Sequence, residues 1–97
     1  MAREADFKSK FRKELKKLGC LVLQYKQDAT SVVGFPDAIV LLPESLTVYI
    51  EFKKSKNAKF RPGQKERGEW LKEHGYFWWA CYPENADEVL EEIKGLL

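Results

Sequence analysis

Residues 34–53 read GFPDAIVLLPESLTVYIEFK, and this segment contains two apolar stretches joined by a short polar link. The first, residues 38–42, is continuously apolar and stops at Pro43, a pattern typical of a β-strand buried on both faces. The second, residues 46–53, alternates between apolar and polar side chains, which predicts a strand with two different faces. Because the link is short, we expect the two strands to form an antiparallel hairpin.

The segments around this hairpin have helical or β periodicity. In chain order the predicted elements are a helix (3–18), a strand (20–25), the two hairpin strands, a basic loop (55–62), a helix (63–74), an aromatic-rich strand (76–82) and a last helix after residue 85. Asn85 with Glu88 three residues later predicts a capping-box-like start for that last helix. The order predicts one α/β domain covering residues 1–97, with a C-terminal helix.

Composition narrows the class of protein. Hydrophobic residues make up 44% and charged residues 33%, the balance of a soluble globular chain. No apolar stretch approaches the ~20 residues of a membrane helix, and the N-terminus lacks the apolar region of a secretory signal. We therefore expect a cytoplasmic protein with no membrane partner. Cys20 and Cys81 are expected to be buried thiols without a disulfide or a zinc ion.

The net charge of +2 hides an uneven distribution. Residues 1–67 hold 15 basic and 8 acidic side chains, whereas residues 68–97 hold 2 basic and 7 acidic ones. A basic region of this kind favours a phosphate backbone as partner, although a solvated charged surface explains it about as well.

Glu51 and Lys53 lie two residues apart on the second hairpin strand, so their side chains project from the same face. Phe52, between them, is expected in the core. A carboxylate and an ammonium on an otherwise apolar strand are costly to bury unless they are paired or bind an ion. Two interpretations stay open: a functional site and an exposed salt bridge.

Asp37 follows Pro36 directly and opens the first hairpin strand. If the hairpin forms, Asp37 and Glu51 face one another, and two carboxylates at that distance suit Mg²⁺ or Mn²⁺. The alternative is that Asp37 only caps the turn. With a bound ion, the neighbouring Lys53 would orient a water molecule or stabilise charge on a phosphate.

Two more side chains are candidates for the same site. Glu4 lies on the apolar side of the first helix and could approach the metal ligands, but an acidic residue also suits a helix N-terminus for electrostatic reasons. Gln64 starts the second helix and could reach the site with its amide, or it could face solvent.

These residues resemble a known pattern. The segment Gly34-Phe35-Pro36-Asp37, followed by Glu51-Phe52-Lys53 on the next strand, resembles the PD-(D/E)XK nuclease superfamily and, more closely, its VRR-NUC family. Glu4 and Gln64 stand where that family carries an acidic residue and a glutamine. The resemblance covers nearly the whole chain and implies a restriction-endonuclease-like αβββαβ core, a mixed sheet flanked by helices.

The resemblance also implies an activity. The expected enzyme is a Mg²⁺-dependent endonuclease in which Asp37, Glu51 and the Phe52 carbonyl bind the metal, with Glu4 as a further ligand, and Lys53 is the catalytic lysine. Single-domain members resemble Holliday-junction resolvases that act as homodimers. Larger members carry additional domains that read DNA flaps or ends, and 97 residues leave no room for those, so their substrates do not carry over.

Contacts with DNA are expected from basic and polar side chains near the site, on the principle that phosphate contacts position a protein on DNA. Those after the hairpin are Lys54, Lys56, Lys59, Arg61, Lys65 and Arg67, and those in the loop before Asp37 are Lys26, Thr30 and Ser31. The aromatic residues of segment 76–82 are too many for one side of a strand, so some should face outward, where they could form a dimer interface or else pack under the last helix. His74 is expected to end a helix.

The sequence thus predicts a metal-dependent DNA endonuclease that is selective for branched DNA such as Holliday junctions. Two alternatives remain: a nicking or restriction-type nuclease acting on ordinary duplex, and an inactive nuclease-fold module that only binds DNA. The presence of Asp37, Glu51 and Lys53 together argues against the inactive module.

Overall fold

A computed structural model describes residues 4–24 and 34–97 of the chain, without the side chains of Glu4 and Ala5. Its elements are α1 (Glu4–Lys17), β1 (Leu21–Gln24), β2 (Ala38–Leu41), β3 (Thr47–Phe52), α2 (Gln64–Glu73), β4 (Phe77–Cys81) and α3 (Ala86–Lys94). A short 3₁₀ turn, Pro43–Ser45, links β2 to β3. The predicted order of helices and strands is confirmed, with boundaries that shift by a few residues.

The four strands form one mixed sheet in the order β1-β2-β3-β4. β1, β2 and β3 are antiparallel neighbours, so the expected hairpin is present, and β4 pairs with β3 in parallel. A parallel pair needs a crossover connection, and α2 provides it. The α/β class, the mixed sheet and the C-terminal helix are therefore as predicted.

The main core lies between one face of the sheet and the helices α1 and α3. Phe7 and Phe11 of α1 pack edge-on against Phe52 of β3. Val89 and Ile93 carry the apolar side of α3 into the same core. Helix α2 covers the opposite face over β3 and β4, so the two faces of β3 meet different helices.

Two local predictions were wrong. Strand β2 is not buried on both faces, because α2 does not extend that far: Ala38 and Val40 are buried, whereas Leu41 is 37% exposed. Asn85 precedes α3, but its side chain does not cap the helix. Its Oδ1 instead accepts a hydrogen bond from the Tyr82 amide and its Nδ2 donates to the Ala80 carbonyl, which ties the turn to the end of β4.

Other expectations hold within the described residues. Cys20 and Cys81 are buried free thiols. His74 ends α2 and stacks on Trp70. Tyr76 and Phe77 are 47% and 38% exposed, so aromatic side chains near β4 do face outward. No helix in the described part of the chain is long and apolar enough to cross a bilayer.

Candidate active site

The hairpin register brings Asp37 and Glu51 together. Ala38 pairs with Ile50, so Asp37 stands opposite Glu51 one step further along the two strands. The Phe52 amide donates a hydrogen bond of 2.9 Å to Asp37 Oδ2, which fixes the Asp37 carboxylate beside β3. Arg61 Nη2 lies 2.7 Å from Asp37 Oδ1 and 3.6 Å from Glu51 Oε2. Both carboxylates therefore lie near the same nitrogen atom, and the prediction that Asp37 and Glu51 face one another is confirmed.

Glu51 is fully buried, on the face of β3 covered by α2. Its Oε2 accepts a hydrogen bond of 2.6 Å from Gln64 Nε2, while its Oε1 is buried without a hydrogen-bond partner. Burial, followed by the hydrogen bond and the charge of Asp37, raises the pKa of Glu51 to about 9, against an opposing effect of Arg61. Without a bound cation, Glu51 therefore holds a proton at neutral pH.

Gln64 is the first residue of α2 and is only 4% exposed, which decides between the two positions that the sequence left open. Its Oε1 accepts a hydrogen bond of 2.7 Å from the Arg61 amide, so one side chain holds both the loop and Glu51. The start of α2 lies against the turn before Asp37. Gly34 in that turn and Gly63 directly before α2 both have positive φ angles. A Cβ atom on Gly34 would collide with the Gly63 carbonyl, so this close approach requires glycine.

Lys53 continues the ladder beyond β3, since its amide donates to the Cys81 carbonyl at 2.8 Å. Its Nζ donates to the Lys56 carbonyl at 3.1 Å and lies 4.4 Å from the centre of the Phe60 ring. Lys53 and Asp37 line one pocket of about 260 Å³. Lys53 thus shares a pocket with Asp37, while its ammonium contacts the basic loop.

The predicted DNA-contact residues after β3 divide into two groups. Lys59 and Arg61 line the pocket itself. Lys54, Lys56 and Lys65 are exposed around it, and Arg67 lies against the Trp70 ring. Lys8 of α1 also lines the pocket, with its ammonium 5.3 Å from the centre of the Phe52 ring. Lys8 was not predicted as a site residue. Its position four residues after Glu4 puts the two side chains on the same side of α1 and could have indicated it.

Several predicted residues lie outside what the structure describes. Lys26, Thr30 and Ser31 are among them, and for Glu4 only the backbone, at the start of α1, is described. Within the described ranges, no three His, Cys, Asp or Glu side chains gather as a metal site. The pair Asp37 and Glu51 nevertheless fits a divalent cation, because both offer hard oxygen donors and Glu51 Oε1 is buried without a partner.

Two solved structures share this fold. One, described as a "VRR_NUC domain", superposes with a TM-score of 0.77 at 25% sequence identity and covers 94% of this chain and 97% of its own. The other, a "VRR_NUC domain protein", has a TM-score of 0.71 at 21% identity, with 98% and 88% covered, and that likeness concerns the fold alone. No protein-family model and no curated protein matches the sequence. This fold covers nearly the whole chain and brings Asp37 and Glu51 together, so the likeness to VRR_NUC domain structures supports the resemblance that the sequence indicated.

Proposed function

We propose that this nuclease-fold domain is a metal-dependent endonuclease that hydrolyses phosphodiester bonds in DNA, with branched DNA such as Holliday junctions as its preferred substrate. The observation that carries the proposal is that the carboxylates of Asp37 and Glu51 lie so close together that both contact the same nitrogen atom of Arg61. A purely structural role does not account for burying Glu51 with one oxygen unpartnered beside a second acid.

In this proposal Asp37, Glu51 and the Phe52 carbonyl hold Mg²⁺ or Mn²⁺, and Glu4 is a further candidate ligand. A divalent cation there would polarise a phosphate oxygen and lower the pKa of a bound water. Gln64 keeps the Glu51 carboxylate in one orientation through its 2.6 Å hydrogen bond. Lys53 leaves the Lys56 carbonyl to orient the attacking water or to stabilise negative charge on the phosphate.

Binding of DNA is assigned to the basic residues around the pocket. Lys8, Lys53, Lys59 and Arg61 line the pocket that contains Asp37, so a phosphate near the carboxylates would meet several positive side chains. Phosphate contacts position the backbone and carry no base information. Selectivity would therefore depend on DNA shape, which agrees with a preference for branched structures.

A second copy of the chain is proposed as the other partner. Among the described elements, no helix covers β1 and β2 on the sheet face that α2 covers over β3 and β4. Leu21, Leu23 and Leu41 are 58%, 43% and 37% exposed there, and Leu21 pairs with Leu41 across the two strands. An exposed apolar patch suits a two-fold contact, where each residue meets the same surface on its partner. A dimer would supply two sites for paired cuts in a four-way junction.

The test is a cleavage panel with Mg²⁺ on linear duplex, flap and four-way junction. We expect the wild-type protein to cut the junction fastest, and both Asp37→Asn and Lys53→Ala to lose activity. Lys94→Ala, far along the chain on α3, is the matched control for loss of a lysine and should cut normally. Equal cutting of plain duplex would replace the branched-DNA proposal by a nicking function. Binding without cutting on all three substrates would indicate an inactive module.

A further inference from the structure

Arg61 has contacts that the proposed chemistry does not use. Its Nη2 lies 2.7 Å from Asp37 Oδ1 and 3.6 Å from Glu51 Oε2, between the two carboxylates that are proposed to share a cation. Asp37 Oδ2 accepts the Phe52 amide, and Oδ1 is the oxygen that faces Arg61. Arg61 occupies that oxygen.

The backbone and the side chain of Arg61 are held very differently. Its amide donates to Gln64 Oε1 at 2.7 Å and its carbonyl accepts from the Gln64 amide at 3.1 Å. Gln64 is itself buried against Glu51. The Arg61 side chain, in contrast, is 60% exposed. Exposed side chains change rotamer within nanoseconds, so the guanidinium can leave the carboxylates while the loop stays in place.

A guanidinium and a divalent cation exclude each other at this position. Mg²⁺ binds oxygen at about 2.0–2.1 Å, and an ion on Asp37 Oδ1 would repel a positive nitrogen that contacts the same oxygen. We propose that the Arg61 guanidinium occupies the cation position in the metal-free protein and leaves it when a divalent cation binds. This inference rests on the proposed function, because it requires a cation between Asp37 and Glu51.

DNA offers the released guanidinium another partner. Arg61 lines the pocket together with Lys53 and Lys59, and a phosphate there would accept two hydrogen bonds from its planar fork. Because such a contact draws Arg61 away from the carboxylates, DNA binding strengthens cation binding. Thermodynamic linkage requires the converse as well, so the cation strengthens DNA binding by the same factor.

The experiment compares Mn²⁺ affinity by calorimetry in the wild-type protein and in Arg61→Gln. Lys59→Gln is the matched control, since it removes the same charge from the same pocket. We expect Arg61→Gln to bind Mn²⁺ at least about fivefold more tightly than the wild type and more tightly than Lys59→Gln. In a Lys53→Ala background that prevents cutting, a four-way junction should tighten Mn²⁺ binding at least about fivefold, and Arg61→Gln should remove most of that gain.

The outcomes separate the inference from the proposed function. If the wild type binds Mn²⁺ and Arg61→Gln binds it no more tightly than Lys59→Gln, the inference is refuted while the proposed function stands. If no variant binds Mn²⁺, the proposed function fails, and the inference fails with it. Should Arg61→Gln not fold, Arg61→Met, which also removes the charge while keeping much of the side-chain bulk, must bind Mn²⁺ more tightly than the wild type.

Discussion

Glu51 is the residue whose environment has the largest consequence for the free protein. Burial and the adjacent Asp37 raise its pKa from 4.5 to about 9. Between these values the folded protein holds a proton that the unfolded chain releases. The contribution of this group to stability is therefore complete below about pH 4.5 and declines as the pH rises toward 9.

We therefore predict that, in metal-free buffer, the wild-type protein loses roughly 1–4 kcal/mol of unfolding free energy between about pH 5 and pH 8 relative to Glu51→Gln. The amide has nearly the same shape and does not titrate. Urea unfolding of both proteins at several pH values, with chelator present, measures the difference. Parallel pH profiles for the two proteins would mean that Glu51 is ionised throughout.

The placement of the three proposed catalytic residues, Asp37, Glu51 and Lys53, could be predicted from the sequence because it depends on short-range rules. Period two on a strand puts Glu51 and Lys53 on one face, and a tight hairpin puts Asp37 opposite Glu51. The position of Arg61 could not be predicted, since it depends on the path of an irregular loop and on the rotamer of a long side chain. The position of Lys8 was not predicted either, because this residue reaches the site only when α1 packs on β3.

At the scale of elements, the position of α2 governs the site through Gln64. Helix α2 lies close to β4 because Gly68 has no side chain: a Cβ there would collide with the Trp78 ring. That contact is between a helix backbone and a half-buried indole whose Nε1 atom is buried.

We predict that Gly68→Ala lowers stability by about 1–3 kcal/mol, even though alanine is the better helix former. Thermal unfolding measures the loss. Glu69→Ala, on the exposed side of the same helix, is the control and should change stability by less than about 0.5 kcal/mol. An unchanged melting temperature for Gly68→Ala would show that α2 can move away from β4, and Gln64 with it.

The order and type of the elements follow from hydrophobic periodicity, so the sequence predicted them well. The two errors arose because each outcome depends on neighbouring parts of the fold. Asn85 is a good capping residue by type, but the Tyr82 amide and the Ala80 carbonyl engage its side chain instead. The apolar run of β2 predicted burial on both faces, but such a run cannot show how far a helix extends over a sheet.

At the scale of the whole molecule, the exposed leucines of β1 and β2 predict association. We expect the wild-type protein to sediment as a dimer and Leu23→Glu to sediment as a monomer, because a two-fold contact would bring two buried carboxylates close together. Leu97→Glu places the same substitution on another exposed leucine, 52% exposed at the C-terminal end, and should remain dimeric. A monomeric wild type at every concentration would contradict this assignment.

The most direct test of the central claim is the rate at which a four-way junction is cut as Mg²⁺ is added to metal-free protein, for the wild type and for Asp37→Asn. Two carboxylates that share a cation predict no cutting in chelator, a rate that rises with Mg²⁺ for the wild type, and a loss of about 10²-fold or more for Asp37→Asn. Cutting that persists in chelator, or that survives Asp37→Asn unchanged, would contradict the account.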